Sequence, residues 1–219
     1  MSRGEAIGTA QAWIEPRADD PEATSALAVA RERLLAGRAL EGLRRLRVIE
    51  LSGALPDRAA LEGLLHRSIQ FYNPAKERCT LRLDPLEPAP LEADEIGVLV
   101  LERAGGRRPA AERWWRHETG AAAEIREGVA WALRIAAGAH AEKVVHDLAI
   151  LRDREHGLLC NPLWEDARFA AGEVPLPWIA WEGQAKGRAR SRSAAPKRGG
   201  AAARRPPAAK RRRERRTQG

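Results

Sequence analysis

Two stretches decide the fold of this chain: Phe71-Tyr72-Asn73-Pro74, followed by Glu77, and Leu159-Cys160-Asn161-Pro162, followed by Glu165. In both places a leucine-bearing helical segment comes before the Asn-Pro pair, and a strand-like segment comes after it. An Asn-Pro pair stops a helix, because the residue before proline is pushed out of helical geometry and asparagine favours turns. The recurrence of one frame at two places predicts an internal duplication.

The first copy extends back from its Asn-Pro pair to about residue 10. A strand at 10–16 precedes Asp20-Pro21-Glu22, which supplies a helix N-cap, a proline at the first helical position and an early acid. Gly37 offers a helix stop, and a strand is predicted at 45–51. A second helix begins at Pro56-Asp57, and a last strand is predicted at 79–83. The inward-facing side chains predicted for that second helix are Leu61, Leu64, Leu65 and Ile69.

The second copy follows a loop with three prolines and repeats the same order. Its first strand is predicted at 98–101, and Pro109 opens a helix that runs to Gly120. Apolar residues in 124–135 recur with a period of two, and Glu127-Gly128 is interpreted as a hairpin turn that splits this segment into two strands. A helix at 139–154, with Leu151 among its inward residues, and a strand around 167–170 complete the copy. The predicted core tryptophans are Trp114, Trp115 and Trp131.

Each copy is therefore interpreted as strand, helix, strand pair, helix, strand, which is the βαββαβ order of ferredoxin-like folds. The predicted fold class is α+β, with two tandem ferredoxin-like units at 10–84 and 96–172 whose sheets are antiparallel. A Pro-rich joint at 85–95 links the two units, and a Trp/Pro segment follows at 173–183. Such a unit leaves one sheet face bare, and two units can bury their open faces or edges against each other.

The net charge of +8 hides a division along the chain. Residues 184–219 carry fourteen Lys or Arg and one acid, a net of +13, whereas residues 1–183 carry 24 bases and 29 acids, a net of −5. The basic tail has no aromatic residue and several Pro and Gly breaks, so we expect it to be disordered. Contact of this tail with RNA or another polyanion would be salt-sensitive and largely indifferent to sequence. A solubilising extension without a partner is the alternative interpretation.

Composition favours a cytoplasmic protein without a membrane span. The 44% of hydrophobic residues suffices for a core, and no apolar run approaches the roughly 20 residues that cross a bilayer. The first residues lead into no apolar region of the signal-peptide kind. Cys79 and Cys160 are too few for a disulfide framework, so we interpret both as small core groups in a reducing compartment.

The sequence contains no motif that predicts a catalytic residue, a cofactor or a metal. It lacks the G-x-x-x-x-G-K-[ST], G-x-S-x-G and H-E-x-x-H motifs. Glu142 and His146 share a helical face, but His140 would lie on a different one, so a solvated helix surface is favoured over a metal site.

Several short motifs resemble those of one known family. They are Leu158-Leu159-Cys160-Asn161-Pro162-Leu163-Trp164-Glu165-Asp166 and Glu124-Ile125-Arg126-Glu127-Gly128-Val129 in the second copy, with Trp13-Ile14-Glu15-Pro16, Asp20-Pro21 and Phe71-Tyr72-Asn73-Pro74 in the first. The second copy is similar in order and length to the PurS subunit of phosphoribosylformylglycinamidine synthase. The resemblance spans about residues 10–171 as two copies, like the duplicated N-terminal region of the large single-chain enzyme.

This resemblance implies a non-catalytic accessory component of de novo purine biosynthesis. The implied partners are the synthetase and glutaminase subunits, between which such a component helps ammonia pass without loss to water. The family-motif or partner-contact candidates are Asn73, Pro74, Arg126, Gly128, Asn161, Pro162 and Glu165. Trp178 and Trp181 join them, because these two tryptophans either pack across the halves or anchor a partner.

Two other classes of function stay open at this point. The same superfold hosts regulatory and ligand-binding modules, so a binding function is the leading competitor. The third interpretation is a nucleic-acid-binding protein that acts through its basic tail.

Overall fold

The computed structural model describes residues 7–180. Trp181 and the tail predicted at 184–219 lie outside the described residues. Within residues 7–180, none of the helices combines the length and the apolar character that a bilayer crossing needs.

Each half of the described chain has the order strand, helix, strand, helix, strand. The elements of the first half are β1 (Ile7–Pro16), α1 (Pro21–Arg33), β2 (Leu40–Ala54), α2 (Arg58–His66) and β3 (Glu77–Arg82), with a short 3-10 helix (Leu35–Ala39) between α1 and β2. Those of the second half are β4 (Glu95–Glu102), α3 (Pro109–Thr119), β5 (Ala123–Ile135), α4 (Ala141–Ala149) and β6 (Glu165–Ala171). The Asp20 carboxylate caps α1 by accepting a hydrogen bond from the Glu22 backbone N–H, as its sequence predicts.

All six strands form one sheet in the order β3-β1-β2-β5-β4-β6, and every neighbouring pair is antiparallel. The halves meet where β2 pairs with β5, from Leu40 opposite Ile135 to Gly53 opposite Ala123. The predicted α+β class is confirmed. The predicted tandem of ferredoxin-like units is not confirmed, because each half contributes three strands to a shared sheet.

The hairpin turn predicted at Glu127-Gly128 is wrong. Both residues lie inside the uninterrupted strand β5, where Glu127 is opposite Ile49 and Gly128 is opposite Val48 of β2. Because both residues pair with β2, and the pairing of β5 with β4 begins at the next residue, Val129, a turn there would interrupt the ladder between β5 and β2.

The strand registers reveal a pseudo-two-fold relation between the halves. Ile14 of β1 pairs with Arg47 of β2, and in the second half Val100 of β4 pairs with Val129 of β5. Pro16 pairs with Glu77 in the first half, as Glu102 pairs with Glu165 in the second. Arg47 and Val129 are therefore equivalent residues, and they also pair directly across the β2·β5 junction. The pseudo-two-fold axis passes between these two side chains.

One face of the sheet is covered by helices that pack in pairs drawn from different halves. Leu61 and Leu65 of α2 share a core with Trp115 of α3. Ala30 of α1 shares a second core with Leu148 of α4. The middle of this face lies between the two cores and contains the charged residues of the candidate site.

The opposite face of the sheet is covered by two irregular segments. Val174, Trp178 and Ile179 pack on Trp13 and other strand side chains, and Ala89 and Leu91 of the Pro-rich segment pack beside them. The sheet face that is predicted from the sequence to be bare within each unit is thus buried by the Trp/Pro segment of the same chain and not by a second sheet.

The prediction that an Asn-Pro pair ends each of these helices is wrong, and two predicted core residues are exposed because the helices end earlier. Helix α2 ends at His66, so Ile69 falls in the following turn and is 85% exposed. Helix α4 ends at Ala149, and Leu151 beyond it is 42% exposed. Among the predicted core tryptophans, Trp115 and Trp131 are buried, and Trp114 is partly buried.

Candidate functional site

The two Asn-Pro turns have the same hydrogen-bond pattern. The backbone N–H of Asn73 donates to the Glu77 carboxylate at 2.6 Å, and that of Asn161 donates to Glu165 at 2.7 Å. Each asparagine side-chain oxygen accepts from the backbone N–H two residues on, at 3.1 Å and 3.0 Å. The duplication therefore holds for individual hydrogen bonds as well as for the order of elements.

An arginine ties each turn to the end of a neighbouring strand. The backbone N–H of Arg17 donates to the Lys76 carbonyl at 2.8 Å, and that of Arg103 donates to the Trp164 carbonyl at 2.9 Å. The side chains of these arginines donate to the carbonyls of Pro74 and Pro162. The turns consequently lie in fixed positions at opposite edges of the sheet, before β3 and before β6.

The two turns differ in what they expose. Leu163 and Trp164 of the second turn are both 71% exposed. The equivalent residues of the first turn are Ala75 and Lys76, which are a small and a charged side chain. Only the second turn offers adjacent large apolar side chains, and exposed tryptophans of this kind are favoured at the centres of protein interfaces.

Arg47 lies at the pseudo-two-fold axis and bridges the halves. Its guanidinium donates to Glu77 at 3.2 Å, to the Phe71 carbonyl at 2.9 Å and to Glu127 at 2.9 Å. Three acceptors from separate elements therefore hold one side chain, which fixes β3 and β5 relative to β2.

Two equivalent ion pairs flank Arg47 with reversed charge. In the first half Asp20, just before the first proline of α1, pairs with Arg45 of β2 at 3.4 Å. In the second half Arg108, just before the first proline of α3, pairs with Glu127 of β5. Burial lowers the pKa of Arg108 from its usual value, and the neighbouring positive charge of Arg47 lowers it further.

A cavity of about 440 Å³ opens on the second-half side of the axis. Val100, Val129 and Trp131 contribute apolar surface, and Glu165 lines the cavity where the second turn meets β6. The Arg45 guanidinium lies 5.9 Å from the centre of the Trp131 ring, a cation–π distance. The size is within the range of small-molecule sites.

A buried carboxylate anchors the Trp/Pro segment on the opposite face. Glu50 is 2% exposed, and it accepts hydrogen bonds from the backbone N–H groups of Trp178, Ile179 and Ala180. Gln11 also donates to it at 2.8 Å. The Trp178 ring, fully buried, stacks on Trp13 with ring centres 5.8 Å apart. Trp178 is therefore a packing residue within the described chain.

The sequence-predicted site residues do not form one cluster. Asn73 and Pro74 lie at one sheet edge, and Asn161, Pro162 and Glu165 lie at the other. Arg126 and Gly128 lie between them on β5, where Arg126 is on the face opposite the helices and Gly128 lines the cavity together with Glu165. Arg126 pairs with Glu124, and Gly128 gives room to β4, because a Cβ there would lie 2.8 Å from Leu99 Cδ1.

The sequence reasoning missed the charged residues at the axis: Arg45, Arg47, Arg108 and Glu127. One feature of the sequence points to these residues: arginines alternate with Leu46 and Val48 in β2, and the other face of this strand is apolar. A strand with arginines on its helix-covered face requires acidic partners there, and this need points to a buried ionic cluster.

The described residues include no group of three or more His, Cys, Asp or Glu that could hold a metal ion. His146 instead stacks on Phe169, with ring centres 5.5 Å apart. Burial raises the pKa of the Cys79 thiol to about 11, so this side chain is protonated at neutral pH, and Cys160 is buried.

Comparison with protein-family models, curated proteins and solved structures gives no match for this chain.

Proposed function

We propose that this protein is a non-catalytic, PurS-like accessory component of phosphoribosylformylglycinamidine synthase. The observation that carries the proposal is the pair of Asn-Pro turns, whose sequence resembles the PurS closing motif. Their hydrogen bonds are the same in both halves. A derivation of the two halves from PurS-like βαββαβ units, with one strand fewer in each, is part of this proposal.

A rigid connecting element suits this role. The sheet joins both halves through the long β2·β5 pair, and each turn is tied to it by an arginine. Partners that dock at the two sheet edges would be held at a fixed separation. Transfer of ammonia between such partners requires surfaces that exclude water, and it requires no acid or base from the connecting element.

Leu163 and Trp164 are the partner contact that we assign to the second turn. Both side chains are exposed and adjacent on a turn whose backbone is fixed by hydrogen bonds. An apolar anchor that is already ordered loses little conformational entropy when it binds.

The test is glutamine-dependent synthase activity of the synthetase and glutaminase subunits from the same source, with and without this chain. Activity that requires the chain, and that falls at least tenfold with Trp164→Ala, supports the proposal. Leu86→Ala is the matched control, because Leu86 is 91% exposed but lies outside both turns. Full activity of the two subunits alone, without association with this chain, would overturn it.

A second candidate function is a small-molecule-binding module. The cavity of about 440 Å³ beside Val129 is the observation that favours it, because this cavity combines apolar surface with a few charged groups. A thermal-shift screen of cationic, neutral and anionic compounds on the full chain tests this function. The absence of any saturable shift would contradict it.

A further inference from the structure

At the pseudo-two-fold axis the first half has the long side chain of Arg47 and the second half has the short side chain of Val129. The cavity lies on the side of Val129. In the first half the guanidinium of Arg47 occupies the space beside Glu77 and the Phe71 carbonyl. In the second half Val129 takes the place of Arg47, and its side chain does not reach this far. The space it leaves is the cavity.

The walls of the cavity repeat two of the three groups that hold the Arg47 guanidinium, and Arg45 takes the place of the third, Glu127. By the strand registers and the Asn-Pro turns, Glu165 is equivalent to Glu77 and Leu159 to Phe71, and both line the cavity. Glu165 accepts a hydrogen bond from Asn161, as Glu77 does from Asn73. Glu77 also pairs with Arg47, whereas none of the arginines and lysines within residues 7–180 pairs with Glu165.

The cations on the other walls already have acidic partners. Arg45 pairs with Asp20 at 3.4 Å and with Glu22 at 3.1 Å. Arg107 pairs with Glu112 at 2.7 Å. Arg108 pairs with Glu127. The charge left without a counter-ion in this cavity, among residues 7–180, is therefore negative, and it lies at Glu165 and at Glu102, which is opposite Glu165 on β4.

We propose that this cavity binds a guanidinium group, either on a small molecule or on an arginine side chain of a peptide. The planar fork of a guanidinium can donate to a carboxylate and a carbonyl together, as Arg47 does in the first half. This inference rests on the second proposed function, ligand binding, and names its ligand chemistry. It is independent of the PurS-like role.

The first experiment tests whether the cavity can hold a guanidinium that belongs to a side chain of the protein itself. Val129→Arg adds a guanidinium on an unbranched stem, Val129→Met adds an uncharged unbranched side chain, and each is combined with Glu165→Gln in full-length protein. We expect Val129→Arg to melt about 2–4 °C above Val129→Met when Glu165 is present, and we expect Glu165→Gln to reduce this difference. An equal or lower melting temperature for Val129→Arg than for Val129→Met would overturn the proposal.

The second experiment measures binding by calorimetry. Agmatine represents the small-molecule source and N-acetyl-arginine amide the peptide source. The ureido analogue of each replaces the guanidinium by a neutral group. We expect at least one guanidinium compound to bind saturably and its ureido analogue to bind at least tenfold more weakly. Glu165→Gln should weaken binding to a similar extent, and Val129→Arg should abolish it.

Glu41→Gln is the control, because Glu41 is exposed at the start of β2 and lies outside the cavity. Binding of neither guanidinium compound at millimolar concentration would overturn the proposal, whatever the melting temperatures. A thermal shift with neutral or anionic compounds alone would also overturn it, although the ligand-binding function itself would then stand.

Discussion

Removal of the Glu50 carboxylate should release the Trp/Pro segment from the sheet. In Glu50→Ala the backbone N–H groups of Trp178, Ile179 and Ala180 lose their acceptor, whereas the side chain of Gln11 keeps the Pro175 carbonyl as its second acceptor. Each buried donor left without a partner costs about 1–3 kcal/mol, so the three of them together would cost at least as much as detaching the segment. Detachment exposes Trp178 and Ile179, which are both fully buried.

The free-energy cost of detaching the segment therefore sets the expected loss of stability in Glu50→Ala. Exposure of these two side chains costs about 3–6 kcal/mol, and we expect Glu50→Ala to lose free energy of unfolding in that range. Glu50→Gln keeps the size of the side chain, but it places an NH₂ group against a backbone N–H donor. Its expected loss is about 1–3 kcal/mol.

Urea unfolding and amide hydrogen exchange measure the two parts of this prediction. Exchange in the peptide 174–180 should accelerate in Glu50→Ala much more than exchange in β2 or β5. Glu41→Ala on the same strand should change the free energy of unfolding by less than about 0.5 kcal/mol. If Glu50→Ala behaves like Glu41→Ala, or if protection of residues 178–180 persists, the Glu50 carboxylate is not the anchor.

Three further predictions concern Gly128, Cys79 and Glu95. Gly128→Ala should cost about 1–3 kcal/mol in urea unfolding, because the new Cβ would lie 2.8 Å from Leu99 Cδ1. Gly63→Ala, with open space around it in α2, should instead stabilise by about 0.5–1 kcal/mol. Because burial raises the pKa of Cys79 from 9.0 to about 11, the unfolded state ionises first as the pH rises. The advantage of the wild type over Cys79→Ala should be complete below pH 9 and shrink by about 2–3 kcal/mol by pH 11. Burial alone would raise the pKa of Glu95, but hydrogen bonds from Arg44 and the Glu92 backbone, together with the Arg44 charge, lower it below 4.5. The unfolding free energy of Glu95→Gln should thus be about 1–2 kcal/mol below wild type near pH 7. The gap should close as the pH falls below 4.5, and a gap that stays constant would contradict this reasoning.

Local signals in the sequence were sufficient for the helix starts and the Asn-Pro turns. Asp20 and Asp57 cap α1 and α2 through bonds within three residues, so their effect can be read from neighbouring positions. Strand ends and strand count were harder to predict. Glu127-Gly128 has the composition of a turn, and the long-range pairing of these residues with β2 keeps them extended.

The candidate site depended on long-range pairing that no short window contains. Arg47 and Glu127 are 80 positions apart, and Glu50 and Ile179 are 129 positions apart, yet each pair is hydrogen-bonded. The alternation of arginines with apolar residues in β2 indicates that these arginines need acidic partners. Which acidic residues pair with them depends on the strand order. The cavity beside Val129 becomes visible only when the registers of both halves are compared.

The difference between Arg47 and Val129 follows from the geometry of a two-fold axis. In a symmetric dimer of one half, the residue on the axis would meet its own copy, so both residues at the axis would be arginine or both valine. In the joined chain a valine faces the arginine, and one guanidinium can pair with Glu77 and with Glu127 of the other half. The ion pairs of Asp20 with Arg45 and of Arg108 with Glu127 carry opposite charges at equivalent positions for the same reason. Fusion of the halves therefore permits an asymmetric axis, filled by the chain's own cation on one side and open beside Glu165 on the other.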